Sequence, residues 1–320
     1  MFERFSYNNI GSQIDVQALH NTMNGDKRIQ HLYLITNTSL ELQHFTKLNT
    51  IDEIDPNQIS CSVFFLHFIS DDEYLYHLDK IIKNQGKFVI QKVYAKNLFV
   101  HSSRMCRLAL TDTLRRKDDI SHFTEIIHGN ICQALEQTKR LDGDYVEIGV
   151  YKGGSALTAL NYMKHANIKR KSYFLDTYDG FNYTEADASS ETHWNNQNNH
   201  HRLYGTDKTM EYIQKILSEE CPEQEFSLIK SNICSQELPS SIQHIAVANL
   251  DVDLYDATRD GLNKLAPKIV KGGIIIAEDP TSTPGLIGAF YAMETFLETT
   301  LGKQFMKLHL SGQYFLIRME

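Results

Sequence analysis

Two periodicities organise the apolar positions of this chain. From about residue 144 onward, short runs rich in Val, Ile and aromatic residues alternate with longer segments whose apolar residues recur every three or four positions. The first pattern reads as buried strands and the second as amphipathic helices. Strands are predicted over 144–150, 172–176, 225–230, about 245–250 and 274–278. Helices are predicted over about 155–165, 209–219 and 257–265, and from Pro284 to about 301. Alternating strands and helices imply an α/β domain with a parallel sheet. Two last strands, about 304–310 and 313–318, flank Ser311-Gly312, a turn suited to an antiparallel hairpin.

Ahead of this domain, Phe123, Ile126, Ile127, Ile131 and Leu135 recur at helical spacing, so one face of a helix over 121–140 should pack on it. The first hundred residues form a separate unit in this reading. His31–Thr36, Cys61–Phe68 and Lys87–Val93 read as strands, and Asp71–Asn84 as an amphipathic helix stopped by Gly86. Strand, acidic loop, helix, Gly, strand over 63–90 repeats the layout of 247–276, which points to a small α/β extension without a Gly-rich turn. The domain expectation is therefore 1–100 for this extension, 101–120 for a connector and 121–320 for the main domain. The connector carries Arg104, Arg107, Arg115, Arg116 and Lys117, read as a solvated helix face.

Composition narrows the function classes. A formal charge of −8 over 320 residues disfavours non-specific nucleic-acid binding. The five cysteines form no CxxC pair, so neither a zinc site nor a disulfide framework is signalled. No apolar stretch approaches the roughly 18 residues of a membrane span, and the first ten residues lack the basic and apolar regions of a secretory leader. A cytoplasmic protein with reduced thiols is expected, with no membrane partner. A homo-oligomer is compatible with the chain but not specified by it.

The most informative stretch is Asp144-Tyr-Val-Glu-Ile-Gly-Val-Tyr-Lys-Gly-Gly-Ser155, a strand, a Gly-rich turn and a helix start. Gly149, Gly153 and Gly154 let the backbone turn tightly beside a ligand, and the helix start offers unpaired N–H groups. The spacing is G-x-x-x-G-G rather than the dinucleotide G-x-G-x-x-G. Glu147, two residues before the first glycine, would repel a pyrophosphate but suits the cationic methionine end of S-adenosylmethionine. With the terminal hairpin, this favours a Rossmann-like methyltransferase sheet over the dinucleotide type. Ser155 opens the helix. The Tyr151 ring either touches cofactor or packs against the region that follows the second strand. Asp176, ending that strand, is placed to accept hydrogen bonds from ribose hydroxyls; Asp179 shares that role or caps its loop. Ser231 and Asn232 follow the third strand, where an adenine edge would lie.

A second constellation gathers carboxylates. Asn249-Leu-Asp-Val-Asp-Leu-Tyr255 ends one strand and Ile276-Ala-Glu-Asp-Pro280 the next. Neighbouring strands lie about 4.8 Å apart, so Asp251, Glu278 and Asp279 can converge. Oxygen donors without Cys or His suit Mg²⁺ first, or Mn²⁺ or Ca²⁺. The competing reading is that Asp251, Asp253 and Asp256 simply precede a helix, where acidic residues are favoured. In the polar stretch 182–207, Trp194 could stack on a sugar, and His193, His200 and His201 are rival bases or surface residues.

Four segments resemble the macrocin O-methyltransferase family: 143–154, Leu175-Asp-Thr-Tyr-Asp-Gly-Phe181, Leu250-Asp-Val-Asp-Leu-Tyr-Asp-Ala-Thr258 and Gly272-Gly-Ile-Ile-Ile-Ala-Glu-Asp279. The resemblance covers about 121–320. It implies an S-adenosylmethionine-dependent and divalent-metal-dependent O-methyltransferase acting on a sugar hydroxyl of a natural product. It implies metal ligands at Asp251, Glu278 and Asp279 and a general base at Asp253. The family usually shows two aspartates and an aromatic where this chain has Glu278-Asp279-Pro280, and the first hundred residues have no counterpart in it. Three alternatives stand beside it: a catechol-like phenol as acceptor, a non-catalytic module that keeps the fold, and an NAD-dependent oxidoreductase.

Overall fold

The computed structural model describes residues 29–37, 39, 41, 45–67, 71–90, 103–120, 125–189, 210–279 and 287–320. Chain contacts divide the protein into two compact units, residues 1–111 and 112–320. Trp194, His193, His200, His201, Phe123 and Pro280 lie outside the described residues.

The first unit contains β1 (His31–Thr36), β2 (Thr46–Leu48), α1 (Pro56–Ile59), β3 (Ser62–His67), α2 (Asp71–Lys83) and β4 (Lys87–Ile90), with most of α3 (Arg104–Leu114) following. Its sheet has the order β2-β1-β3-β4, and every pairing is parallel. Phe64, Leu66, Ile35, Leu78 and Ile81 form a core of their own. The three-residue β2 had no counterpart in the sequence reading, because three residues are too few to display a period. The basic connector face is corrected at one position. Arg107 is 2% exposed, and its Nη2 lies 3.3 Å from Oδ1 of the equally buried Asp79 on α2. A charge this far from water persists only when paired.

The second unit continues with α4 (Lys117–Ile120), α5 (Glu125–Gln137), β5 (Asp144–Ile148), α6 (Gly154–Ala166), β6 (Ser172–Asp176), α7 (Thr184–Ala188), α8 (Met210–Glu220) and β7 (Phe226–Lys230). It ends with β8 (Ile245–Leu250), α9 (Tyr255–Leu265), β9 (Ile269–Ala277), α10 (Gly288–Glu298), β10 (Phe305–Leu310) and β11 (Gln313–Arg318). The seven-stranded sheet runs β10-β11-β9-β8-β5-β6-β7. β5 to β9 pair in parallel, and β11 joins β9 and β10 antiparallel. This is the Rossmann-like methyltransferase architecture, with the hairpin at one edge. Strand order reverses at β5, so the carboxyl ends of β5, β6 and β8 surround the crevice where open α/β sheets bind ligands.

Two local departures have physical causes. β9 begins five residues earlier than its apolar run implies, and its register with β8 shifts between Ile245 and Val247. Gly272, at φ +80°, forms the bulge, and a Cβ at Gly273 would meet Val270 O at 2.9 Å. The two glycines thus sit inside a strand rather than before it. On α5, Ile131 and Leu135 are fully buried, but Ile126 is 46% exposed. Ile126 therefore leaves the packed face that helical spacing assigned to it.

Candidate active site

The carboxyl ends of the central strands are bonded to one another just where the chain leaves the sheet. Gly149 N–H donates to Leu175 O (2.9 Å), Asp251 N–H to Ile148 O (2.9 Å), Ser231 N–H to Asp176 O (2.8 Å) and Glu278 N–H to Leu250 O (3.0 Å). Above them opens a cavity of about 390 Å³. Gly149, Tyr151, Asp176 and Ser231 line it on the side of β5 to β7. Asp251, Asp253, Glu278 and Asp279 line the side of β8 and β9.

The Gly-rich turn works partly as its spacing implies. Gly149 has φ +90°, and a Cβ there would fall 1.7 Å from Asp251 O, so only glycine fits. Gly153, at φ +82°, is the N-cap of α6, and Gly154 is the first helical residue. Neither lines the cavity, and nor do Glu147, Ser155 and Asp179. Glu147 is fully buried: Oε2 accepts from Tyr145 Oη (2.7 Å) and Oε1 from Ser155 Oγ (2.6 Å). Both its oxygens face protein donors, so in this structure it braces the strand to the helix start. Burial, opposed by these two hydrogen bonds, pushes its carboxyl up to about 7. Asp179 is exposed and accepts from Asn182 Nδ2 (3.0 Å).

Asp176 does line the cavity, but its carboxylate is already busy. Oδ2 accepts from Val150 N (2.6 Å) and Tyr151 N (3.0 Å), and Oδ1 from Tyr178 N (2.6 Å). It clamps the turn after β5 and retains the further acceptor capacity that a carboxylate has. Asn232 also lines the cavity; its Nδ2 donates to Glu185 Oε2 on α7 (3.1 Å). Ile127, Phe181 and Tyr183 supply apolar wall that the sequence reading did not assign to the site. Phe181 closes the 175–181 segment quoted for the family resemblance, and that membership was the available signal.

On the acidic side, Leu250 pairs with Ala277, which sets Asp251 and Glu278 side by side. Glu278 shares a hydrogen bond with Asp251, and its carboxyl is raised by burial and by the neighbouring Asp279. Asp251 is raised well above the usual carboxylate range, first by burial and then by Glu278, Asp279 and Asp253. Asp279 turns Oδ2 to Asp253 N–H (2.9 Å), and Asp253 sits in the left-handed region at φ +60°. Among the described residues, no group of three or more His, Cys, Asp or Glu is arranged to hold a metal ion. The expected trio therefore shares one wall, but as a hydrogen-bonded pair plus a carboxylate tied to backbone. By donor chemistry the wall still fits a hard cation: it is all oxygen, and the crowding that raises the Asp251 and Glu278 carboxyls is what a bound ion would relieve.

Residues 125–300, more than half of the chain, match a family described as Macrocin-O-methyltransferase (TylF). The chain belongs to that family. Among its relatives is the 8-demethyl-8-(2,3-dimethoxy-alpha-L-rhamnosyl)-tetracenomycin-C 4'-O-methyltransferase of Streptomyces olivaceus, 23% identical over 52% of this chain and 60% of that protein. Demethyldecarbamoylnovobiocin O-methyltransferase of Streptomyces niveus is 25% identical over 48% of this chain and 60% of that protein. The match thus spans less than two thirds of either relative's length. Among solved structures, the O-methyltransferase NovP has a TM-score of 0.55 at 18% identity, covering 68% of this chain and 97% of that one. CalS11, a calicheamicin methyltransferase, has a TM-score of 0.51 at 20% identity, covering 68% and 95%. At these identities the structural likeness is one of fold. Among the described residues no helix is long and apolar enough to cross a membrane.

Proposed function

We propose that this protein is an S-adenosylmethionine-dependent O-methyltransferase whose acceptor is a sugar hydroxyl of a glycosylated natural product. The observation that carries the reading is one cavity walled on one side by the Gly149 turn, Asp176 and Ser231, and on the other by Asp251, Asp253, Glu278 and Asp279. Membership of the TylF family and the names of both relatives support it. In this reading the cofactor lies along the turn. Asp176 and Ser231 meet its ribose and adenine, and its methyl faces the acids. The acceptor oxygen attacks the methyl carbon in line, the carbon–sulfur bond breaks, and Asp253 takes the hydroxyl proton. The left-handed backbone at Asp253, anchored by Asp279, aims that carboxylate.

Asp251, Glu278 and Asp279 are the residues that would hold a divalent cation, Mg²⁺ by preference. When bound, such an ion supplies Lewis-acid polarisation of the acceptor oxygen. A cytoplasmic setting is part of the proposal, in keeping with five free cysteines. A catechol-like phenol remains the second acceptor class, because it presents the same pair of adjacent oxygens. Calorimetry with S-adenosylhomocysteine tests the cofactor: a dissociation constant in the micromolar range is expected, and no heat at millimolar ligand refutes the reading in favour of a non-catalytic module. Turnover with glycosylated and catechol acceptors, read as a methyl mass shift, then separates the two acceptor classes.

A further inference from the structure

Gln313 opens β11 beside Glu278, since the next residue, Tyr314, pairs with Ala277. It is fully buried, and so, very nearly, is Asn130 on α5, at 8% exposure. The order of donors and acceptors here is forced. Leu310 O can only accept, and Asn130 Nδ2 lies 3.5 Å from it and 2.5 Å from Gln313 Oε1. Asn130 therefore presents nitrogen to the hairpin, and Gln313 presents oxygen to Asn130. The remaining end of the Gln313 amide, Nε2, is buried and has no partner at ordinary hydrogen-bond length. The strand register sets this donor beside Glu278, and its influence lowers that carboxyl against the rise caused by burial. A buried amide donor aimed at one carboxylate stabilises one orientation of that carboxylate.

We propose that Gln313 and Asn130 are positioning residues for Glu278. Asn130 sets which way the Gln313 amide faces, and Gln313 then holds one Glu278 oxygen back, so that the other faces the cavity and Asp251. The inference rests on the reading of Glu278 as part of a cation-binding wall.

The test is calorimetric titration of the full chain, saturated with S-adenosylhomocysteine, with Mn²⁺. Removing a group that orients a metal-binding side chain commonly weakens metal binding about 10- to 100-fold. Gln313→Leu and Gln313→Met should weaken Mn²⁺ binding by about tenfold or more, while S-adenosylhomocysteine affinity and melting temperature stay near wild type. Asn130→Leu should weaken it less, and the Asn130→Leu/Gln313→Leu double variant should be no weaker than Gln313→Leu alone. Gln313→Met keeps the volume of the side chain if Gln313→Leu does not fold. Mn²⁺ affinity within twofold of wild type in the Gln313 variants overturns the inference and leaves the cation reading standing, as do losses that simply add in the double variant. A wild-type chain that gives no Mn²⁺ heat removes the cation and this inference together.

Discussion

At the scale of single residues, Gly149 and Glu147 carry the sharpest expectations. A methyl at Gly149 would have to occupy the place of Asp251 O and adopt φ +90°. Gly149→Ala should cost several kcal/mol of stability and abolish S-adenosylhomocysteine binding, read by melting and calorimetry. Glu147 is raised from 4.5 in the unfolded chain to about 7 in the fold. The folded state then holds the proton more tightly, so stability is unpenalised below pH 4.5 and falls as pH rises towards 7. The full difference is about 3 kcal/mol. Glu147→Gln should show that decline much reduced, in urea melts at pH 5 and pH 8. Glu147 stood out in the sequence as the acid before the turn, but the partners it meets in the fold were not legible. The hydroxyls of Tyr145 and Ser155 claim both oxygens, and neither partner announces itself in a strand–turn pattern. Asp251 and Glu278 were legible as neighbours because each ends an apolar run. The hydrogen bond from Asp253 N–H to Asp279 was not, since it depends on a left-handed backbone at a non-glycine residue.

Among elements, α3, α5 and α6 show how buried polar groups tie helices to one another. His128 Nδ1 and Thr158 Oγ1 lie 2.5 Å apart, Thr158 donates to Thr113 Oγ1 (3.1 Å), and Asn161 Nδ2 donates to the same oxygen (3.2 Å). Complete burial lowers the His128 imidazole from 6.5 to about 3. The folded state therefore resists the proton that the unfolded chain accepts. This contribution is intact above pH 6.5 and is lost progressively below it, by about 2 kcal/mol at pH 5. His128→Gln should flatten the loss of stability between pH 7 and pH 5 relative to wild type, and an unchanged slope would contradict the assignment. Element boundaries were legible wherever an apolar run ended at a charged residue, as at Ser172–Asp176 and Ile245–Leu250. They failed at β9, where a bulge carries a strand through two glycines that a periodicity reading treats as a break.

For the molecule as a whole, two separate cores imply two partly separable stabilities. Phe64 is fully buried in the core of the first unit, and Phe→Ala at such a position costs about 3–5 kcal/mol. Phe64→Ala should lower the melting of that unit while S-adenosylhomocysteine affinity, a property of residues 112–320 in this reading, changes less than threefold. A proportionate loss of affinity would show that the units do not act separately. The alternation of strand and helix made both sheets legible at this scale. The role of the first unit was not, because it bears no turn chemistry of the Gly149 kind. One contact in the second unit reaches beyond stability. The backbone of the Gly149 turn rests directly on the carbonyl of Asp251, with no side chain between them to absorb a change. Under the proposed function, swapping acceptor preference with a relative therefore means transplanting both loops as one block, since remodelling either alone would push the cavity out of shape.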